Sequence, residues 1–203
     1  VGTAAAMAVE KKIAPRAVGG HVKLLQQRLL KDDCWIPGCR NEDPADLART
    51  TSVSASSESE GWPAANVVNG VPRNVKSARN AWVSKPMSGP EWIRLDLERR
   101  ATVKEVILVF DPNLSKEIKI SISKRTLSRQ VPGIPGTLVR DYDLELLDGS
   151  TVVDRVEVRG NYLRRRVHGF PAGPTANRIR LTVHATRGDR EARVFEIRAY
   201  AGA

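Results

Sequence analysis

Glu91-Trp92-Ile93-Arg94-Leu95-Asp96-Leu97 alternates apolar and polar side chains residue by residue. That is the two-residue period of a half-buried β-strand. The same pattern recurs on both sides of it. Downstream lie Val103–Phe110, closed by Asp111-Pro112-Asn113, then Glu117–Ile122 and Tyr142–Leu147. The last of these runs into Asp148-Gly149, a hairpin signal, and then Thr151-Val152-Val153. Val156–Val158, Arg178–Val183 and Val194–Tyr200 complete the set. Upstream, Val53 and Ala55 alternate with Ser52, Ser54 and Ser56, which suits a short edge strand.

No helical period of useful length follows residue 50. About eight strands over some 155 residues predict a mainly β fold, one sandwich of jelly-roll type. That much chain can close a proper hydrophobic core. The spacing places Trp82, Trp92, Leu95, Leu97, Val106, Leu108, Leu144, Leu181, Val183 and Phe195 inside.

The first forty-five residues read differently. Gly2-Thr3 opens a small-residue run of strong helix propensity, and His21–Lys31 puts Val22, Leu25 and Leu29 on one helical face. Pro15 and Gly19-Gly20 separate the two. The sequence lacks the basic and bulky apolar stretches of a signal peptide. The expectation is a short α-helical segment, the end of a larger domain, over 1–45, followed by a sandwich over 46–203. Cys34 and Cys39 are open to two readings, a disulfide around Pro37-Gly38 or two thiols. With no His or further Cys at ligand spacing, they do not suggest zinc.

Net charge is +10, with 33 Lys and Arg against 23 Asp and Glu. Arg164-Arg165-Arg166 is the densest basic run. Its alternation with Leu163 and Val167 predicts a strand with a cationic outer face. No nucleic-acid-binding signature or aromatic-interleaved basic platform accompanies it, so nucleic acid is not an expected partner. Three His, no G-x-S-x-G elbow and carboxylates at strand or turn positions offer no catalytic set. Trp62, between Gly61 and Pro63, belongs to a loop. It reads either as an exposed ring for a sugar or neighbouring domain, or as an anchor folded back on the sandwich.

Two resemblances follow. The ordered string Gly2-Thr3-Ala4-Ala5-Ala6-Met7-Ala8-Val9, Pro15-Arg16-Ala17-Val18, Val22–Gly38 resembles the C-terminal end of the catalytic domain of bacterial FAD-dependent oxidoreductases. It implies that Gly2, Thr3 and Ala4 would lie near the flavin of the parent protein. The G-x-G-x-x-G fingerprint is absent, so FAD is not expected in this chain alone.

Residues 48–203 resemble a discoidin domain, the coagulation-factor C-domain type with a galactose-binding-like fold. The strings that carry this are Ser54–Ser57, Ala65–Gly70, Asn80–Ser84, Glu91–Leu97 and Ala192–Tyr200. The resemblance implies a non-catalytic accessory or carbohydrate-binding-like module beside a flavin domain; the alternatives are a free-standing carbohydrate-binding module and a purely structural domain that packs on the flavin domain. It further implies a calcium site near Asn69, where the family usually has Asp, with Glu196 as a second ligand. Any other ligand is expected at the loop edge carrying Trp62, Arg73 and Asn80.

Overall fold

A computed structural model describes residues 40–74, 77–113, 123–128 and 133–201. The segment from Asn41 onward forms one compact unit built from nine strands. They are β1 (Ser52–Ala55), β2 (Trp82–Val83), β3 (Glu91–Thr102), β4 (Glu105–Phe110), β5 (Val139–Asp148), β6 (Thr151–Val158), β7 (Arg165–Gly169), β8 (Thr175–Thr186) and β9 (Arg193–Tyr200).

They make two antiparallel sheets. One is five-stranded in the order β1-β3-β8-β5-β6, the other four-stranded in the order β2-β9-β4-β7. The mainly β expectation holds. The serine-rich stretch is indeed an edge strand, β1. Asp148-Gly149 does turn a hairpin, with Asp148 opposite Thr151 and Gly149 at φ 62°, a backbone glycine adopts without strain. The strand expected over Glu117–Ile122 lies outside the described residues. So do Cys34, Cys39 and the expected helices before residue 40. Helical turns among the described residues are short, 3-10 at Leu47–Thr50 and Ala64–Val68 and α at Lys124–Leu127.

The core lies between the sheets. Ile93 and Leu95 from β3, Leu144 and Leu146 from β5, and Ile179, Leu181 and Val183 from β8 face Val106 and Leu108 from β4 and Ile197 and Ala199 from β9. Trp82 is fully buried, its indole N–H donating to Ser57 O at 2.9 Å. Tyr142 on β5 meets His168 on β7 at 3.0 Å, Oη to Nε2, so a polar contact ties one sheet to the other.

Three expectations need correction. Trp92 does not join the core. Ile93 and Leu95 take the inner side of β3, so the two-residue alternation turns Trp92 outward with Arg94 and Asp96. Leu97 packs against the core but is only partly buried. The cationic outer face drawn for 164–166 is inverted in part: Arg166 shares the inner side with His168, while Arg165 and Val167 face out.

Phe195 is buried on the other side of its sheet. It forms a second small cluster with Ala81, Val83 and Val109, against which Trp62 packs. This second cluster positions the loop edge described next.

Candidate functional site: the Trp62 loop edge

A cavity of about 620 Å³ opens at the loop edge between β2 and β9. Ser59, Glu60, Gly61, Trp62, Arg79, Val83, Glu191 and Arg193 line it. Several devices fix its wall. Gly61 stands at φ 77°, a conformation that favours glycine, and Arg79 Nη1 comes within 2.3 Å of where a Cβ would sit. Trp62 N–H donates to Ser59 O at 3.0 Å, and Ser59 Oγ donates to Ser84 O at 2.8 Å. The 3-10 turn beginning at Ala64 is held by Glu58, whose carboxylate accepts Ala64 N–H at 2.7 Å.

Trp62 is half-buried. One side rests on the Val83–Phe195 cluster, and the Arg79 guanidinium stands 5.2 Å from the ring centroid. Arg79 Nη1 also donates to Glu60 O at 3.1 Å. Opposite, Arg193 pairs with Glu191 at 3.0 Å and Asp189 at 3.2 Å. The cavity thus offers an aromatic ring, a mobile-length guanidinium that can leave it, and charged hydrogen-bonding groups of both signs. That combination suits a polyhydroxylated ligand, not a purely apolar one.

Trp62 therefore combines both sequence readings: it is anchored on a small cluster and lines an open cavity. Arg73 and Asn80 do not line it. Asn80 Nδ2 donates to Arg73 O at 3.0 Å, and its Oδ1 accepts from Asn69 Nδ2 at 3.0 Å, so these residues brace the 69–80 turn. Arg79, Arg193, Glu60 and Glu191 were missed. The bracketing of Arg79 by Trp62 and Asn80 was the one available signal.

The fit to calcium is poor. Asn69 Oδ1 already accepts Val71 N–H at 2.7 Å. Glu196 is 1% exposed, with Arg198 Nη2 at 2.7 Å from Oε2. That contact is an ion pair, since neither carboxylate oxygen receives a well-directed hydrogen bond from the described residues. Burial raises the carboxyl's pKa, against the pull of Arg198 and Arg164. Arg164 meanwhile donates to Pro72 O, in the very turn where a cation would sit. Among the described residues no group of three or more His, Cys, Asp or Glu gathers as a metal set. Gly2, Thr3 and Ala4 lie outside the described residues. Among the described residues no helix is long and apolar enough to cross a membrane.

Two antiparallel sheets with an open polar cavity at one loop edge define a discoidin-like β-sandwich. The F5/8 type C domain matches residues 52–197, and the chain belongs to that family. Similar solved structures include the lectin domain of lectinolysin complexed with Lewis B antigen, at 15% identity and TM-score 0.60 over 79% of this chain and 99% of that one. A fucose binding module of Streptococcus pneumoniae is similar at 15% identity and TM-score 0.58, over 80% and 99%. The family 32 CBM from C. perfringens NanJ, in complex with galactose, is similar at 17% identity and TM-score 0.55, over 77% and 98%. At these identities the likeness speaks for the fold. No curated protein matches the chain.

Proposed function

We propose that residues 46–203 act as a carbohydrate-binding module whose site is the Trp62 loop edge. The observation that carries this is the cavity in which Trp62, Arg79 and Arg193 converge on a family fold. Solved neighbours of that fold are complexed with Lewis B antigen and galactose. A sugar's apolar face would take the ring now covered by Arg79, and the freed guanidinium would bond its hydroxyls. Titration of a panel of galactose-, fucose- and glucosamine-containing glycans tests this. Saturable binding that Trp62→Ala abolishes is the expected result. No binding to any glycan, or binding indifferent to Trp62→Ala, would reject it.

The ordered string in residues 1–45 supports placing this module at the C-terminal end of a bacterial FAD-dependent oxidoreductase. The sandwich would then be a non-catalytic accessory of a flavin domain on the same polypeptide. Gly2, Thr3 and Ala4 would lie beside the flavin. Sequencing the gene upstream of Val1 decides it: no flavin-domain coding sequence there would remove the reading.

A further inference from the structure

The outer face of the five-stranded sheet carries an aromatic residue among arginines. Register places Arg94 of β3 directly opposite Arg180 of β8, which faces Glu145 of β5, which faces Arg155 of β6. The neighbouring row runs Trp92, Thr182, Asp143, Glu157. Two guanidiniums directly opposite each other on adjacent strands repel, so their pairing costs stability.

The way each is anchored shows what the pairing leaves open. Arg94 reaches Asp96 through Nε at 3.1 Å, and Arg180 reaches Glu145 through Nε at 2.7 Å. Both contacts spend the inner nitrogen. The terminal Nη groups of both forks have no hydrogen-bond partner among the described residues, and each side chain is 38% exposed. Glu145 lies beneath at 8% exposure, while Asp96 is 29% exposed beside Arg94 and also pairs with Arg178 at 2.6 Å. The surface therefore presents two guanidinium edges beside counter-charges that are only partly covered. A planar fork held at Nε is pre-set to receive an oxoanion edge-on. Trp92, two residues from Arg94 on the same side, is half-buried.

We propose that this face is a second binding surface, taking an acidic polysaccharide. The Arg94 and Arg180 forks hold a carboxylate or sulfate, and Trp92 receives the adjoining sugar ring. The chain's +10 charge steers such a polyanion toward it. The surface is separate from the Trp62 edge, and its failure leaves that reading intact.

The test measures affinity of the full chain for polygalacturonate, heparin, a neutral galactan and duplex DNA. Wild type should bind one or both acidic polysaccharides, more weakly as salt rises, and an excess of neutral glycan should not displace them. Polygalacturonate carries carboxylates alone and heparin carries both groups, so binding of heparin without polygalacturonate assigns sulfate, and binding of polygalacturonate shows that a carboxylate suffices. The pair Arg94→Gln and Arg180→Gln should weaken binding at least tenfold, and Trp92→Ala several-fold. Arg94→Lys with Arg180→Lys keeps the charge and the fold but loses the fork, and should still weaken binding about fivefold or more. A control pair, Arg40→Gln and Arg165→Gln, removes equal charge from other exposed positions. An equal loss in that control, retention of affinity in the Lys pair, DNA binding as tight as polysaccharide, or no wild-type binding would each overturn the proposal.

Discussion

Asp46 shows how much one side chain can organise. It is 4% exposed and accepts three hydrogen bonds: from Asn41 Nδ2 at 2.5 Å, Ala48 N at 3.0 Å and Ala199 N at 2.9 Å. It thereby caps the 3-10 turn at Leu47 and fastens the start of the sandwich to β9. Asp46→Ala strands three donors, so a loss of about 2–4 kcal/mol is expected in urea unfolding. A change within about 0.5 kcal/mol would show that water replaces the carboxylate. Glu196, nearby on β9, supports a second residue-scale prediction. Its charge is met by Arg198, and Asn69 Oδ1 is already turned toward Val71 N–H. Adding calcium or a chelator should therefore move Tm by less than about 1 °C, against the ~2–4 °C that 1 kcal/mol of binding would give a domain of this size. A clear calcium-dependent rise in a thermal melt would restore the cation site.

At the scale of elements, the strands were legible because burial on one face imposes the two-residue period on the sequence itself. β3, β5 and β8 show it plainly. The side of Trp92 was legible too: Ile93 and Leu95 already filled the inner positions, so reading it as core set residue type above register. The cavity was not legible. Trp62, Arg79 and Arg193 come from three separate segments, and no local spacing records that they meet. The charged face of β5 and β8 bears its own prediction. Asp143, with 5% side-chain exposure, holds Arg155 at 2.6 Å, Arg159 at 2.8 Å and His184 at 2.8 Å. Burial alone would raise its pKa, but hydrogen bonds from Arg159, His184 and Arg155 outweigh it and hold the carboxyl at about 2. Asp143→Ala leaves those partners without their shared acceptor and should cost about 2 kcal/mol in denaturant unfolding, allowing for the half-exposed arginines. A variant as stable as wild type would mean that Glu145 and Glu157 absorb the loss.

The whole sandwich is joined across its core by a polar contact that titrates. His168 is 6% exposed, and burial, helped by the positive charge of Arg166, depresses its pKa from 6.5 to about 4. Tyr142 is pushed up to about 12 by burial, so it stays protonated, and its hydroxyl can donate to a neutral His168 Nε2. The unfolded chain takes up the imidazole proton near pH 6.5, the folded chain only near 4. The burial of a neutral imidazole is therefore without penalty above about pH 6.5, and stability is lost as pH falls from there toward 4. The depression corresponds to about 3 kcal/mol, because each pKa unit is worth about 1.4 kcal/mol. Asp143 acts in a lower window, present above 3.8 and lost as pH falls through about 2. Unfolding free energy measured from pH 8 to 4 should thus fall steeply below pH 6.5, well before most carboxylates titrate. His168→Phe should flatten that slope while lowering stability at pH 7, since the Tyr142 hydroxyl loses its acceptor. If wild type and His168→Phe share the same slope between pH 6.5 and 4, the inter-sheet histidine is not what makes the sandwich acid-sensitive.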